Sequence, residues 1–367
     1  MKDMKKYPLI IVFFSVLFAL SVFDLFSPVK TYSELENRDL AEFPSFNVKG
    51  LLNGKYMSGI EKFTEDHFIA RDAWISLKSV SEKALGKKEN NGVVYGKDGY
   101  LFTKTESKDY SQFEKNISAI NKFMDRHSDR IVSLLLAPTA PGVMTDRVYK
   151  DSPVIDTEYM LNYARDNITS GKFIEVLDVL KSHSDEYIYY KTDHHWTTLG
   201  AYYAYEQYMY DTDNKYMTLD GFDFVDVSDF LGTHYSKSKN YDVVPDTLSY
   251  IECDADITVG EETLPIYDKS KLETRDKYAM FLRGNNGLAA VKGNGNGKIL
   301  IIKDSYANCL VPFMVGDYEE IDIIDLRYLT MGLDSYIAEK DFDEILFLYN
   351  CETILTDQNI PKANMFN

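Results

Sequence analysis

Short, mostly apolar runs separated by stretches of helical spacing limit what this chain can become. Residues 131–137 (IVSLLLA), 298–302 (KILII), 321–325 (IDIID) and 344–348 (EILFL) are too short for typical helices and too apolar to turn one face to water. Strands of that kind are buried on both faces, as in a parallel sheet covered by helices. Helical spacing at 110–127, at 157–168, from 198 onward and at 305–315, with a further strand at 173–177, supplies the alternation. The expected fold is α/β, with a parallel central sheet flanked by helices. Sites in such sheets lie beyond the carboxyl ends of the strands, so the residues after each run are the first place to look for chemistry.

The start of the chain differs in kind. Lys2, Lys5 and Lys6 precede an apolar stretch from 7 to 26, interrupted by Pro8, Ser15, Ser21 and Asp24. That pattern predicts a single transmembrane helix with its N-terminus in the cytoplasm and the body outside. The alternative is a signal peptide cleaved near Ala19-Leu20-Ser21 to release a secreted body, although the run continues into Phe23, Leu25 and Phe26. Residues 1–27 are therefore read as a membrane anchor or signal, 28–46 as a polar juxtamembrane linker and 47–367 as an extracytoplasmic domain. Within that domain, helices are expected at 51–67 and 71–85 and a tight hairpin around Gly96-Lys97-Asp98-Gly99. The long mixed stretch at 213–296 reads as an insertion.

Charge and composition narrow the partners. The chain has 40 Lys+Arg against 58 Asp+Glu, net −18. Without residues 1–27, which hold three Lys and two Asp, the body stands at −19. That sign argues against a nucleic-acid partner, whose phosphates call for clustered Lys and Arg. Cys253, Cys309 and Cys351 form no CxxC and cannot all pair, so neither a zinc knuckle nor a disulfide framework is written here. The 28 Tyr and 21 Phe are mostly core, with Tyr also suited to polar ligands such as sugars.

Two strand-end motifs carry reactive groups. Lys303-Asp304-Ser305-Tyr306 follows the run at 298–302 and opens a helix. A serine there presents its hydroxyl at the sheet edge beside outward-facing amides, which suits a nucleophile with an oxyanion donor. Ser or Asp in the same place also serves as an ordinary N-cap. Thr192-Asp193-His194-His195-Trp196-Thr197-Thr198 stands before another helix, where His195 and Asp193 supply a general base and the carboxylate that orients it. The same residues also read as a metal cluster, as structural histidines, or as a helix cap at Thr197. Adjacent histidines project in different directions, whereas metal ligands on one element are more often a helical turn apart, so no metal or cofactor is expected.

Together these blocks resemble known families. KILII with KDSY resembles the nucleophile block of the SGNH hydrolases; FIEVLDVL (173–180) and YYKTDHHWTTLGAYYAY (189–205) resemble their closing block with the catalytic His. The order is reversed, as a circular permutation would produce, an arrangement similar to alginate O-acetyltransferase-like proteins. In more detail, TDHHWT, the GKDGYLF hairpin, SELENRDLAEFP and KDSYAN resemble the DHHW family of membrane-anchored bacterial proteins, over most of residues 32–350.

The resemblance implies a circularly permuted SGNH-hydrolase-like domain with Ser305 as nucleophile, His195 as base and Asp193 as its orienting carboxylate. It also implies Asn350, closing a stretch (342–350) that resembles the third strand of that fold, and Arg327, after the second, as oxyanion or substrate residues, with Tyr306 and Lys303 beside the nucleophile. A strand-end Asn is otherwise a turn former and an Arg a surface ion pair. Two departures stand out: Asp193 and His195 are two apart rather than three, as in the alginate-type relatives, and Lys303 occupies the place of a glycine. The implied activity is extracytoplasmic acyl transfer, foremost of acetyl, to hydroxyls of a cell-envelope polysaccharide through an acyl-serine. The implied partner is a membrane-bound O-acyltransferase that supplies the acyl group. Alternatives are a carbohydrate esterase of the same fold, a non-catalytic polysaccharide-binding scaffold, and a DHH-type metal phosphoesterase with Asp193, His194 and His195 holding manganese.

Overall fold

The computed structural model describes residues 8–24, 26–105 and 108–365, which fall into two units: 8–90 with the short segment Lys239–Asp242, and the remainder. In the first unit the apolar leader forms a helix over Pro8–Asp24, 17 residues with no buried side chain. This corrects the expected transmembrane helix, because among the described residues no helix is long and apolar enough to cross a membrane. At the usual rise the helix spans roughly 25 Å against a hydrocarbon core of about 30 Å. It stops at Asp24, whose carboxylate accepts the Ile69 N–H at 2.8 Å. The basic flank Lys2, Lys5 and Lys6, with Tyr7 and Leu25, lies outside the described residues.

Two helices follow, Lys55–His67 and Arg71–Ala84. Residues 28–46, expected as a linker, carry a short antiparallel ladder of Tyr32–Ser33 against Arg38–Asp39. The buried Glu36 carboxylate beside that ladder accepts from Arg38 at 2.8 Å, from Arg71 at 2.9 Å and from Lys239. Three cations around one buried carboxylate keep its desolvated charge compensated.

The second unit is built on one sheet. Its strands, in chain order, are β1 (Ile131–Ala137), β2 (Lys172–Ile174), β3 (Asp256–Val259), β4 (Glu262–Pro265), β5 (Leu288–Lys292), β6 (Lys298–Lys303), β7 (Glu320–Ile324) and β8 (Glu344–Asn350). Across the sheet the order is β4-β3-β5-β7-β6-β8-β1-β2. The five strands from β7 to β2 are parallel, and their apolar runs are buried on both faces as expected; every residue of β8 is buried.

The sheet as a whole is mixed, which corrects the expectation of a parallel one. β3, β4 and β5 come from the stretch read as an insertion and pair antiparallel, with β5 against β7. Their burial alternates or is slight, and edge strands of that kind lack the continuous apolar runs by which buried parallel strands announce themselves.

Counting from β6 as first, the parallel strands read β7, β6, β8, β1, β2, which is the doubly wound order 2-1-3-4-5. The direction of winding reverses between β6 and β8, and the crevice beyond their carboxyl ends is where such sheets bind ligands. The hairpin also forms, Val93–Tyr95 against Leu101–Thr103. The helix expected at 305–315 is instead a 3-10 turn, Ser305–Cys309, and a short α-helix, Val311–Met314, with Pro312 in its first turn.

Candidate active site

Ser305 enters the crevice because β6 ends one residue before Asp304, and Asp304 caps the turn that follows. The Asp304 carboxylate accepts the Tyr306 N–H at 2.9 Å and, through its other oxygen, the Asn350 N–H at 2.8 Å and the Asn350 amide at 2.7 Å. It thus pins the end of β8 to the end of β6, while burial raises its pKa against those donors. Ser305 itself is half-buried, and its N–H, the first of the 3-10 turn, meets no acceptor among the described residues.

The opposite wall is a tight loop closed by an antiparallel bridge between Tyr189 and Trp196. Asp246 shapes it from outside by accepting the Lys191 N–H at 2.9 Å, the Thr192 N–H at 2.7 Å and hydroxyl and the Tyr187 hydroxyl. Thr197 caps the next helix, Thr198–Asp211, accepting from Gly200 N–H at 3.2 Å. The buried Trp196 ring donates to the Tyr306 carbonyl at 3.0 Å, tying the loop to the serine turn.

Between these walls lies a continuous row of polar atoms. His195 Nδ1–H donates to Asp193 Oδ1 at 2.5 Å, and the backbone N–H of His195 reaches the same oxygen at 3.0 Å. A carboxylate cannot donate, so Nδ1 carries the proton and Nε2 is left to accept from the Ser305 hydroxyl, 2.7 Å away. Asp193 Oδ2 accepts the Thr233 N–H at 2.7 Å. Burial works against the Asp193 charge, but His194, His195 and the Thr233 amide together hold its pKa well below the usual carboxylate range. An alcohol facing a base whose far nitrogen is oriented by an ionised carboxylate is the arrangement that activates a nucleophile.

The three groups Asp193, His194 and His195 also lie within 4.8 Å of one another, as a metal cluster would. Both ring nitrogens of His195 are engaged, however, one with the carboxylate and one with Ser305. The donors point at each other rather than at a common centre.

The other expected site residues are placed differently. Asn350 caps the Cys351–Thr356 helix through Oδ1, and both hydrogens of its amide are taken, by Asp304 at 2.7 Å and Thr353 at 2.8 Å. It is a clamp, with no hydrogen left for an oxyanion. Lys303 is buried away from the serine, donating to Asn285 at 2.7 Å and Asn308 at 2.6 Å, and burial pulls its pKa down to about 8. Tyr306 is packed under Trp196 with its hydroxyl on the His194 carbonyl. Arg327 is held by Asp325 in a forked pair, at 2.9 Å and 2.6 Å, and lines a polar cavity of about 520 Å³ together with His194, Asn350 and Glu352.

Several residues of the site carry no sequence signal. Tyr278, from the stretch read as an insertion, lies flat on His195 with ring centroids 3.8 Å apart and planes 12° off parallel, and its hydroxyl donates to the Ser305 carbonyl at 3.1 Å. Gly232 permits the approach of Asp193: a Cβ there would lie 2.1 Å from the Asp193 Cβ and 2.3 Å from its Oδ2. Neither contact has a period or a spacing that would reveal it.

A family model described as DHHW protein matches residues 81–324. The chain belongs to the DHHW protein family. Among curated proteins this DHHW chain is similar to the probable alginate O-acetylase AlgJ of Pseudomonas aeruginosa, 28% identical over 173 residues, and to that of Pseudomonas syringae, 22% identical over 182. The matches span 44% and 46% of those proteins and the same shares of this chain, less than half the length of the curated relatives.

Among solved structures it is similar to a DHHW family protein from Eubacterium siraeum, with a TM-score of 0.64 at 23% identity over 75% of this chain and 96% of that one. It is also similar to Bacillus cereus PatB1 bearing a sulfonyl adduct, with a TM-score of 0.62 at 17% identity over 74% and 98%. At these identities the likeness is one of fold.

Proposed function

We propose that this chain transfers an acyl group, foremost acetyl, to hydroxyls of a cell-envelope polysaccharide through an ester formed on Ser305. The observation that carries the reading is the 2.7 Å approach of the Ser305 hydroxyl to a His195 nitrogen whose partner nitrogen is fixed by Asp193. The 2-1-3-4-5 order around that pair supports a circularly permuted SGNH-hydrolase frame. The alginate O-acetylase relatives support acetyl as the group and a polysaccharide as its acceptor.

In the first half-reaction His195 Nε2 takes the hydroxyl proton as Ser305 Oγ attacks the acyl carbonyl. The unpartnered Ser305 N–H stabilises the oxyanion. The tetrahedral intermediate collapses as His195 protonates the leaving group. In the second half-reaction an acceptor hydroxyl gives its proton to His195, attacks the acyl-serine and frees Ser305. Asn350 and Asp304 hold the ends of the two strands in register throughout. The body works outside the cytoplasmic membrane, delivered by the apolar leader, and takes its acyl group from a membrane-bound O-acyltransferase.

The test is to treat the full chain in detergent with an activated aryl acetate and examine tryptic peptides by mass spectrometry. An acetyl adduct on Ser305 that disappears in His195→Ala is expected. Folded protein with no adduct refutes the acyl-serine. In cells, polymer acetylation that survives Ser305→Ala but not removal of the body marks a scaffold instead.

A further inference from the structure

Beside the Ser305–His195 pair, the polar cavity that Arg327 lines has features the chemistry above leaves unused. Its wall is a chain of side chains from four places in the sequence. Thr103, from the hairpin, meets His234 Nε2 at 2.9 Å and also hydrogen-bonds Glu352, while His194 stands tilted over His195 with ring centroids 3.9 Å apart. His234 is 4% exposed, and its Nδ1 has no partner among the described residues. His194 Nδ1 lies 3.6 Å from Asp193, and its Nε2 has no hydrogen-bond partner among the described residues.

The two histidines of the wall are neutral near pH 7. Burial lowers the pKa of His194 to about 4 and of His234 to about 3, and burial raises that of Glu352. Arg327 is already paired with Asp325, and Lys237 shares the lining with two carboxylates, Glu352 and Asp357. A cavity of about 520 Å³ lies within the range that small ligands occupy. Neutral ring nitrogens beside the carboxylates of Glu352 and Asp357 suit a hydroxyl-rich ring better than an anion, which would face two acidic side chains on losing its water.

We propose that this cavity seats the acceptor, a neutral sugar unit, with His194 and Glu352 hydrogen-bonding its hydroxyls and setting which one meets His195. The proposal rests on the acyl-serine reading and adds the residues and the charge class of the second substrate. His194 and Glu352 are specificity residues that touch the acceptor and not the acyl donor.

The experiment separates the two halves of the reaction in the full chain, using 4-nitrophenyl acetate as donor and cellopentaose or an oligomannuronate as acceptor. In His194→Asn and Glu352→Gln, transfer to cellopentaose is expected to fall about tenfold more than acetylation of Ser305, mostly through KM, the worth of one hydrogen bond to a bound hydroxyl. Isothermal titration of cellopentaose into Ser305→Ala, which needs no acylation, should show binding that weakens by the same factor when either substitution is added. Equal loss in both halves, a preference for the oligomannuronate, or no cellopentaose binding by Ser305→Ala overturns the assignment. Failure of the wild-type chain to form acetyl-Ser305 while that binding persists removes the acyl-serine and leaves the sugar site standing.

Discussion

Adding one methyl group at Gly232 tests whether the Asp193–His195–Ser305 row depends on a backbone approach that no motif records. In Gly232→Ala the new Cβ would lie 2.1 Å from the Asp193 Cβ and 2.3 Å from Oδ2. Carbon atoms settle at about 3.5 Å, so the carboxylate or the 232–233 backbone has to shift by roughly 1.4 Å. Residue 232 is not among the positions with left-handed backbone, so the effect comes from the contact alone. The shift acts on a carboxylate that holds His195 at 2.5 Å and accepts Thr233 N–H at 2.7 Å, and misplacement of roughly 1 Å costs about 100-fold in rate. That corresponds to about 2.7 kcal/mol of transition-state stabilisation. Overpacking should also cost about 1–3 kcal/mol of stability. The assay is single-turnover acetylation of Ser305 by an activated aryl acetate, with a urea melt to establish that the variant is folded. A folded Gly232→Ala with the wild-type acylation rate would refute the argument that Asp193 must sit where it does.

Three further outcomes follow from the same structure. Removing Asp246 by Asp246→Ala strands two backbone N–H groups and two hydroxyls behind the His195 loop, so chemical denaturation should show a loss of about 3 kcal/mol. His194 and His234 have folded pKa values of about 4 and about 3, below the ordinary histidine value, so the unfolded chain binds their protons first and stability falls as pH drops below that value. Between pH 7 and 5 each contributes a loss on the order of 2 kcal/mol, and His234→Asn should flatten the pH dependence of the urea midpoint over that interval. EDTA should leave Ser305 acetylation unchanged, since both His195 nitrogens already have protein partners; a chelator-sensitive phosphoesterase activity would instead revive the metal reading of Asp193, His194 and His195.

The parallel strands were legible because a strand covered on both faces needs an almost unbroken apolar run, and 131–137 and 344–350 provide one. The antiparallel edge was not, because β3 and β5 alternate and β4 is nearly bare, patterns shared with any surface hairpin. The hydrogen-bonded row was legible for a local reason: Asp193 and His195 are near neighbours in sequence, and Ser305 stands directly past a recognisable strand. What closes around that row comes from far along the chain, including the Tyr278 ring on His195, the Thr233 amide on Asp193 and the gap left by Gly232. Such contacts arise only when the segments meet. Asn350 shows the converse error, since a strand-end Asn in the expected place turned out to have its whole amide spent on Asp304 and the next helix.

The last strand of the sheet to be made, β8, lies at the middle of the five parallel strands, joining β6 on one side to β1 on the other. A chain growing from its N-terminus can pair β1 with β2, and later β6 with β7, but the two halves have no bridge until residues 344–350 arrive. The hydroxyl and its base sit on opposite sides of that gap, 110 residues apart. Assembly of the row is thereby postponed to the end of synthesis, and a chain truncated before residue 344 carries every residue of the row without the strand that joins its two halves.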